Sequence, residues 1–439
     1  MMEKKYFTLT YGCQMNESDT ERINGQLEEL GYAPAETMEE ADIIIMNTCS
    51  IRQNAEEKVY GKIGEIKKLK DKNPHLLLGI AGCMAQENKG KLIERMPIID
   101  FVIGPYHIHD LKEIVSKEDA RGGHVVKTER NPHSVSDYSE LRAVRKSHVF
   151  AWIPIMQGCN KFCTYCIVPY VRGRERSRRP EDVVAEVREA VAQGYKEVTL
   201  LGQNVNSYGK DHKLADFADL LKMVDEVPGI ERVRFMTSHP KDLSDKLIET
   251  IAHGKHICEH IHLPVQYGSD KILSAMHRIY TVDSYRALVE RIRKAIPHVA
   301  LTTDLIVGFP GETDDDFAQM LDFLREIRYD SAYTFSYSKR SGTPAAKMED
   351  QVPDALKHER LEQLMAVQND ISREINDQFL DTVQEIMVEG PSKNDDAMWS
   401  GRTRTNKLVI FPHGAEQPGD FVNVKITHPQ TWVLKGERV

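Results

Sequence analysis

The chain has 439 residues, 41% hydrophobic and 28% charged, which suits about three domains with cores of their own. No apolar run is long enough to span a bilayer and the N-terminus lacks the apolar stretch of a signal peptide, so a cytoplasmic protein with no membrane contact is expected. The net charge of −9 gives no overall sign of nucleic-acid binding, yet nine Arg or Lys against one Glu between Leu141 and Pro180 mark one local basic surface.

The first hundred residues alternate strand and helix. Strands are predicted at Tyr6–Thr10, Asp42–Asn47, Leu76–Ala81 and Phe101–Ile103, with helices at Asp19–Leu30 and Ala55–Leu69 between them. That order predicts an α/β domain over residues 4–115, a parallel Rossmann-like sheet with helices on its faces. Ile108 to Ser147 is polar and reads as a linker, broken at Arg121-Gly122-Gly123 and Asn131-Pro132.

A second series follows, over residues 145–375. Strands are predicted at Val149–Met156, Glu197–Leu201, Arg232–Met236, Ile257–Leu263, Ala300–Val307 and Ala332–Tyr337. Helices fall between them, such as Glu181–Gln193, Phe217–Val227, Tyr285–Ala295 and Asp315–Ile327. Six β/α units predict a partial (β/α)6 barrel, whose active site belongs at the C-terminal strand ends. Asp354–Phe379 is a helical connector. Residues 376–439 are β-rich with turns at Pro391, His413-Gly414 and Pro418-Gly419, which predicts a small antiparallel β-barrel.

Seven cysteines in a cytosolic chain of this length point to metal or redox chemistry rather than disulfides. Cys13, Cys49 and Cys83 each follow one of the first three strands by a few residues. In an open parallel sheet those strand ends share one rim, so the three thiols are expected to converge there as metal ligands rather than as buried structural thiols. Cys159, Cys163 and Cys166 instead lie within eight residues, after the first strand of the second series. Three thiolates can hold one face of an iron–sulfur cube and leave an iron open, whereas a closed zinc site needs a fourth ligand that is not nearby. Cys258 stands alone and reads as a buried inert thiol.

Cys159-x3-Cys163-x2-Cys166, with Tyr165 before the last cysteine, resembles the signature of the radical S-adenosylmethionine enzymes. The surrounding segments resemble the methylthiotransferase branch. They are Cys163 to Glu175, Leu201 to Tyr208, Thr237-Ser238-His239-Pro240, Leu263 to Ser269 and Thr303 to Thr313. The N-terminal region looks like the methylthiotransferase domain and the C-terminal one like a TRAM domain, a small RNA-binding barrel. Asn47 to Lys58 and Gly401 to Lys407 look like the MiaB-type branch, which acts on isopentenyl-adenosine in tRNA, rather than those acting on threonylcarbamoyl-adenosine or a ribosomal protein.

The resemblance implies two [4Fe-4S] clusters, one on each cysteine trio, and S-adenosylmethionine bound at the open iron of the Cys159, Cys163 and Cys166 cluster. Reductive cleavage there would give a radical that takes hydrogen from adenine C2, and the other trio's cluster would hold the sulfur, methylated by a second S-adenosylmethionine. The implied partners are the anticodon stem-loop of tRNA and an electron donor such as flavodoxin or ferredoxin, with the enzyme a monomer. A non-catalytic iron–sulfur RNA-binding protein, which would cleave no S-adenosylmethionine, is the alternative from another class.

Tyr165 is placed to pack near the S-adenosylmethionine adenine. Gln203, Asn204, Ser238, Gln266 and Asp304 offer polar groups after or at the end of successive strands, where each could equally cap a helix or satisfy the backbone. No side chain is singled out as a catalytic acid or base. Arg172, Arg174, Arg176, Arg178 and Arg179 follow the cysteine loop and are expected to meet the phosphate backbone. Arg402, Arg404 and Lys407 form a basic cluster on the last domain, flanked by Trp399 and Phe411, which are either stacking partners or core.

Overall fold

A computed structural model describes residues 3–50, 53–116, 123–129, 141–211, 213 and 215–439, with 53–57 described by backbone alone. The chain divides into two compact units. The first comprises Met1–Lys146, Trp152–Lys161 and Ile167–Val183, and the second Ser147–Ala151, Phe162–Cys166 and Val184–Val439.

The first unit is built on strands β1 (Lys5–Thr10), β2 (Ala33–Pro34), β3 (Ile43–Thr48), β4 (Leu77–Gly82), β5 (Phe101–Ile103) and β6 (Val125–Lys127). Their order is β2-β1-β3-β4-β5-β6, and every pair is parallel. The central strands β3 and β4 are buried at every residue, because helices cover both faces and a buried parallel strand has no solvent side. Period-two alternation assigns the faces: Ile44, Met46, Leu78 and Ile80 enter one apolar cluster, Ile43, Ile45, Leu77 and Ala81 the other. Helices Gln14–Glu29 and Gln53–Lys72 lie where the periodicity predicts, each starting earlier than expected.

The expected linker is partly structured. Leu111–Ser116 is helical, and Val125–Lys127 adds the edge strand β6, pairing Val126 with Val102. Three residues are too short for a periodic signal, and only the neighbouring β5 edge recruits them. Of the predicted breaks, Arg121, Gly122, Asn131 and Pro132 lie outside the described residues.

The second series starts at β7 (Phe150–Pro154), a strand that the two units share. Within the first unit, β8 (Met156–Gln157) and β9 (Arg176–Ser177) then form a short antiparallel pair. The second unit carries β10 (Glu197–Leu201), β11 (Arg232–Phe235), β12 (His260–His262), β13 (Ala300–Val307) and β14 (Ser331–Ser336). β10 pairs with β11 and β12 through β14 pair in order, all in parallel, and the bridge Val233↔Ile257 links the two groups. The expected strand Ile257–Leu263 contracts to His260–His262. Helices Phe217–Asp225, Val282–Ala295 and Asp314–Ile327 start at capping boxes on Asp216, Thr281 and Thr313, which satisfy their first free N–H groups.

Helix Asp354–Asp377 leads to the last domain, a closed barrel of β15 (Val383–Ser392), β16 (Asp395–Arg402), β17 (Leu408–Pro412), β18 (Phe421–Pro429) and β19 (Leu434–Arg438). It departs from the antiparallel expectation at one seam, where β17 and β19 pair in parallel to close the barrel. Trp399 and Phe411 are in its core with Ile386, Val409 and Val424, and are not surface stacking partners.

Two buried arginines of β11 hold this barrel to the rest of the second unit. Arg232 donates to the carbonyls of Arg402 and Glu385, at 2.6 and 3.1 Å. Arg234 donates to the carbonyls of Thr403 and Arg404, at 2.8 and 2.9 Å, and to the Glu197 carboxylate. Arg404 in turn reaches Glu259, Lys407 reaches Asp330 and Arg402 reaches Glu389. Two cations of the barrel's basic cluster, Arg404 and Lys407, are therefore used in docking, while Arg402 pairs with Glu389 within the barrel. All three cations are paired with carboxylates, and Lys407 is the most buried of them.

Candidate iron–sulfur and cofactor site

The parallel register of the first unit brings the dispersed cysteines to one rim. β1, β3 and β4 are adjacent, with Thr10 opposite Asn47 and Thr48 opposite Gly82, so three neighbouring strands end level. Neighbouring strands stand about 4.8 Å apart, which places their following loops within a cluster's width. Cys13 lies at the start of helix Gln14–Glu29, its carbonyl accepting from the Asn16 N–H at 2.8 Å. Cys49 follows β3 directly, and Cys83 follows β4 as the first residue of helix Cys83–Asn88.

The rim is clamped by side chains rather than left as loose loops. The Asn47 amide donates to the Asn16 carbonyl at 2.8 Å, and the Asn16 amide donates to Thr48 O at 3.2 Å. Two glycines make the approach possible. Gly12, at φ +137, would bring a Cβ within 2.6 Å of Cys49 Cβ. Gly82, at φ +91, would bring one within 2.4 Å of Thr48 O. A side chain at either position would carry backbone strain of about 1–3 kcal/mol besides the overlap.

The thiols differ in environment. Cys49 and Cys83 are buried, and Cys83 packs with Ile167, Val171 and Tyr170. The Cys83 thiol is held well below its ordinary range, by a hydrogen bond from Cys49 and then by the guanidinium of Arg172. Burial pushes the Cys13 thiol up. Among the described residues no three His, Cys, Asp or Glu are grouped to hold a single metal ion. A four-iron cube takes each thiolate on a different iron, so its ligands stand farther apart than those of one ion, and three thiols on a clamped rim suit it.

Arg172 is one of two arginines that the sequence placed at a phosphate surface and the fold buries. Instead of facing solvent it is buried, its Nε donating to Cys83 Sγ at 3.3 Å and its Nη2 to the Asp19 carboxylate at 2.7 Å. Arg178 is buried too, on the carbonyl of Pro154, and Arg176 lies over the Tyr106 ring. Of the five arginines only Arg174 and Arg179 are exposed.

In the compact cysteine loop, the Cys159 N–H donates to Gly173 O and the Cys166 N–H to Cys163 O, each at 3.0 Å. In the second unit Thr164 anchors the loop through its N–H on Met276 O and its hydroxyl on Ala275 O. The buried Cys163 sulfur accepts from Arg278 Nη1 at 3.4 Å. Arg278 also donates to Pro264 O and to the Tyr280 hydroxyl. Nothing in the sequence singled it out, because the sulfur and the carbonyl it bonds lie 115 and 14 residues away and are brought to it by the fold. The Tyr165 hydroxyl is raised well above its ordinary range, by burial and then by Cys163.

The remaining predicted residues divide. Ser238 follows β11 and is buried, and among the described residues its hydroxyl has no hydrogen-bond partner. Gln266 is buried at φ +73, its backbone bridging Asp304 O and the Ile306 N–H. Gln203 is half-buried just past β10. Asn204 is committed elsewhere, its amide donating to Asp242 at 2.7 Å. Asp304 lies inside β13 rather than at its end, 3.5 Å from His262. His262 and His260, to which the sequence assigned nothing, share the Thr302 hydroxyl at 3.0 Å. They line a cavity of about 220 Å³ with Thr302, Asp330, Arg402 and Lys407, which none of the six cysteines lines. The seventh cysteine, Cys258, is buried as expected.

A Cys-x3-Cys-x2-Cys loop opening a parallel β/α series defines the class. Residues 153–324 match the profile of the radical SAM superfamily, 5–104 that of an uncharacterized protein family, UPF0004, and 379–439 that of the TRAM domain. A radical S-adenosylmethionine methyltransferase from Kitasatospora setae shares the fold, with a TM-score of 0.56, 13% identity and 84% of this chain and 89% of that one covered. A protein of Carboxydothermus hydrogenoformans named tRNA-2-methylthio-N(6)-dimethylallyladenosine synthase is 52% identical over 99% of both chains. One of the same name from Clostridium botulinum is 50% identical over 99% of this chain and 97% of its own. The chain belongs to the tRNA-2-methylthio-N(6)-dimethylallyladenosine synthase family.

Proposed function

We propose that this protein adds a methylthio group to C2 of N6-(dimethylallyl)adenosine next to the anticodon of tRNA, using two S-adenosylmethionine molecules, one as methyl donor and one as radical source. The observation that carries this reading is the 52% identity, over essentially the whole of both chains, to a synthase named for that product. Bound [4Fe-4S] clusters and S-adenosylmethionine supply the radical and the sulfur, chemistry beyond any side chain.

The protein's own residues hold and orient these groups. Cys159, Cys163 and Cys166 would hold one cluster, the site for S-adenosylmethionine, and Cys13, Cys49 and Cys83 would hold the other. Tyr165 packs beside the adenine. Ser238, with its buried hydroxyl, and Gln203 and Gln266 offer polar contacts to S-adenosylmethionine. Asn204 and Asp304 act through their neighbours, since Asp242 and His262 already engage them. The three functional domains are residues 4–115, 145–375 and 376–439. Both trios belong to one chain, so a monomer suffices, supplied with electrons by a donor such as a flavodoxin or ferredoxin. It works in the cytoplasm with its tRNA, in keeping with the finding that no described helix is long and apolar enough to cross a membrane.

Nucleoside mass spectrometry of tRNA, from cells with and without the gene, tests the reading. The methylthio nucleoside should vanish and N6-(dimethylallyl)adenosine accumulate. A changed threonylcarbamoyl-adenosine, or a changed ribosomal protein with tRNA intact, would reassign the substrate.

The burial pattern narrows the phosphate contacts near the cysteine loop to Arg174 and Arg179. Changing both to Gln should weaken tRNA binding at all sequences and flatten the log–log salt slope by about 1–2 units. A slope identical to wild type would remove this surface from the interface.

A further inference from the structure

Each cysteine trio has one buried thiol that accepts a hydrogen bond from a buried guanidinium, and the two guanidiniums differ in charge balance. Arg278, beside Cys163, bonds otherwise to a phenol and a carbonyl, neither of them an anion. Arg172, beside Cys83, is tied at 2.7 Å to the fully buried carboxylate of Asp19. A hydrogen bond to a ligating sulfur withdraws electron density and raises a cluster's reduction potential, and a nearby positive charge does the same. In a poorly polarisable interior an unbalanced charge is strongly felt, whereas a carboxylate in contact cancels most of it.

We propose that Arg278 eases one-electron reduction of the cluster held by Cys159, Cys163 and Cys166, while Asp19 withholds the same effect of Arg172 from the cluster held by Cys13, Cys49 and Cys83. The electron comes from a low-potential one-electron donor, which is oxidised by one electron as the cluster gains it. Only the first cluster must spend that electron on S-adenosylmethionine, so a second cluster reduced as readily would divert it. Both arginines are positioning residues, acting through a sulfur. The inference rests on the proposed assignment of one cluster to each trio.

The test is an anaerobic redox titration of the reconstituted full chain, followed by electron paramagnetic resonance. S-adenosylmethionine alters the signal of the cluster that binds it, which assigns each midpoint. Wild-type protein with fewer than two clusters, or with no response to S-adenosylmethionine, would overturn the cluster assignment itself. Given two clusters, Arg278→Gln should lower the reduced-to-oxidised ratio of the responding cluster about tenfold at fixed potential, about 59 mV for one electron. Arg278→Lys, which keeps the charge, should recover most of that shift. Asp19→Asn keeps the size and an acceptor for Arg172 but removes the negative charge. It should raise the midpoint of the other cluster and leave the first unchanged.

An unchanged or lowered midpoint in Asp19→Asn overturns the proposal, as does an equal fall in the Gln and Lys variants of Arg278. If Arg278→Gln takes up too little iron to titrate, Asp19→Asn decides alone, by the direction of its shift.

Discussion

The protein in which Cys13, Cys49 and Cys83 are all Ala is expected to cleave S-adenosylmethionine to 5′-deoxyadenosine and yet to form no methylthio-adenosine. The three thiols stand on one clamped rim of the first unit, and the compact Cys-x3-Cys-x2-Cys loop uses none of them. The substitution also leaves the interior charge balanced, because Arg172 keeps its bond to Asp19 when Cys83 Sγ is gone. The fold of the first unit should therefore survive the loss of its cluster. Both products are quantified in one anaerobic reaction, with dithionite as reductant and dimethylallyladenosine-containing tRNA as substrate. Methylthio product from this variant would sink the assignment of the dispersed trio as the sulfur site. Loss of both products would mean that the radical reaction depends on the first rim.

Replacing Cys159, Cys163 and Cys166 with Ala should have the opposite signature. Roughly half of the iron should remain after reconstitution, since each trio is proposed to hold one four-iron cluster, and cleavage of S-adenosylmethionine should fall to background. The loop itself should keep its course. Thr164 remains anchored on Met276 and Ala275, and Arg278 keeps the Pro264 carbonyl and the Tyr280 hydroxyl when Cys163 Sγ is removed. Retained cleavage would refute the radical assignment outright. Iron unchanged from wild type would show that the compact loop is not a cluster site. A companion Cys258→Ala should leave iron content untouched, because that thiol is buried and apart from both trios in the chain.

Much of this was legible in the residues. The strand series of the first sheet follows from apolar runs that are buried on both faces, and three of its strand ends carry a cysteine because parallel strands must share a rim. Glu197–Leu201, Ala300–Val307 and Phe101–Ile103 lie where their patterns put them, bounded by turn residues and matched to neighbours of the same direction. The arginines were not legible. Arg172, Arg178, Arg232 and Arg234 are buried, and a buried arginine has the same local signature as an exposed one.

Local pattern determined the order of elements and the placing of the two cysteine trios after strand ends, because periodicity and spacing are properties of neighbouring residues. Tertiary structure alone decided where the charges went. Arg172 met Asp19 and Cys83 across 153 and 89 residues, and Arg234 met Thr403 across 169. It also tied Arg404 and Lys407 of the C-terminal basic cluster to Glu259 and Asp330 outside the barrel. Burying a cation is costly without a partner, and which acceptor supplies the partner depends on how distant strands pack, information that no stretch of local sequence contains.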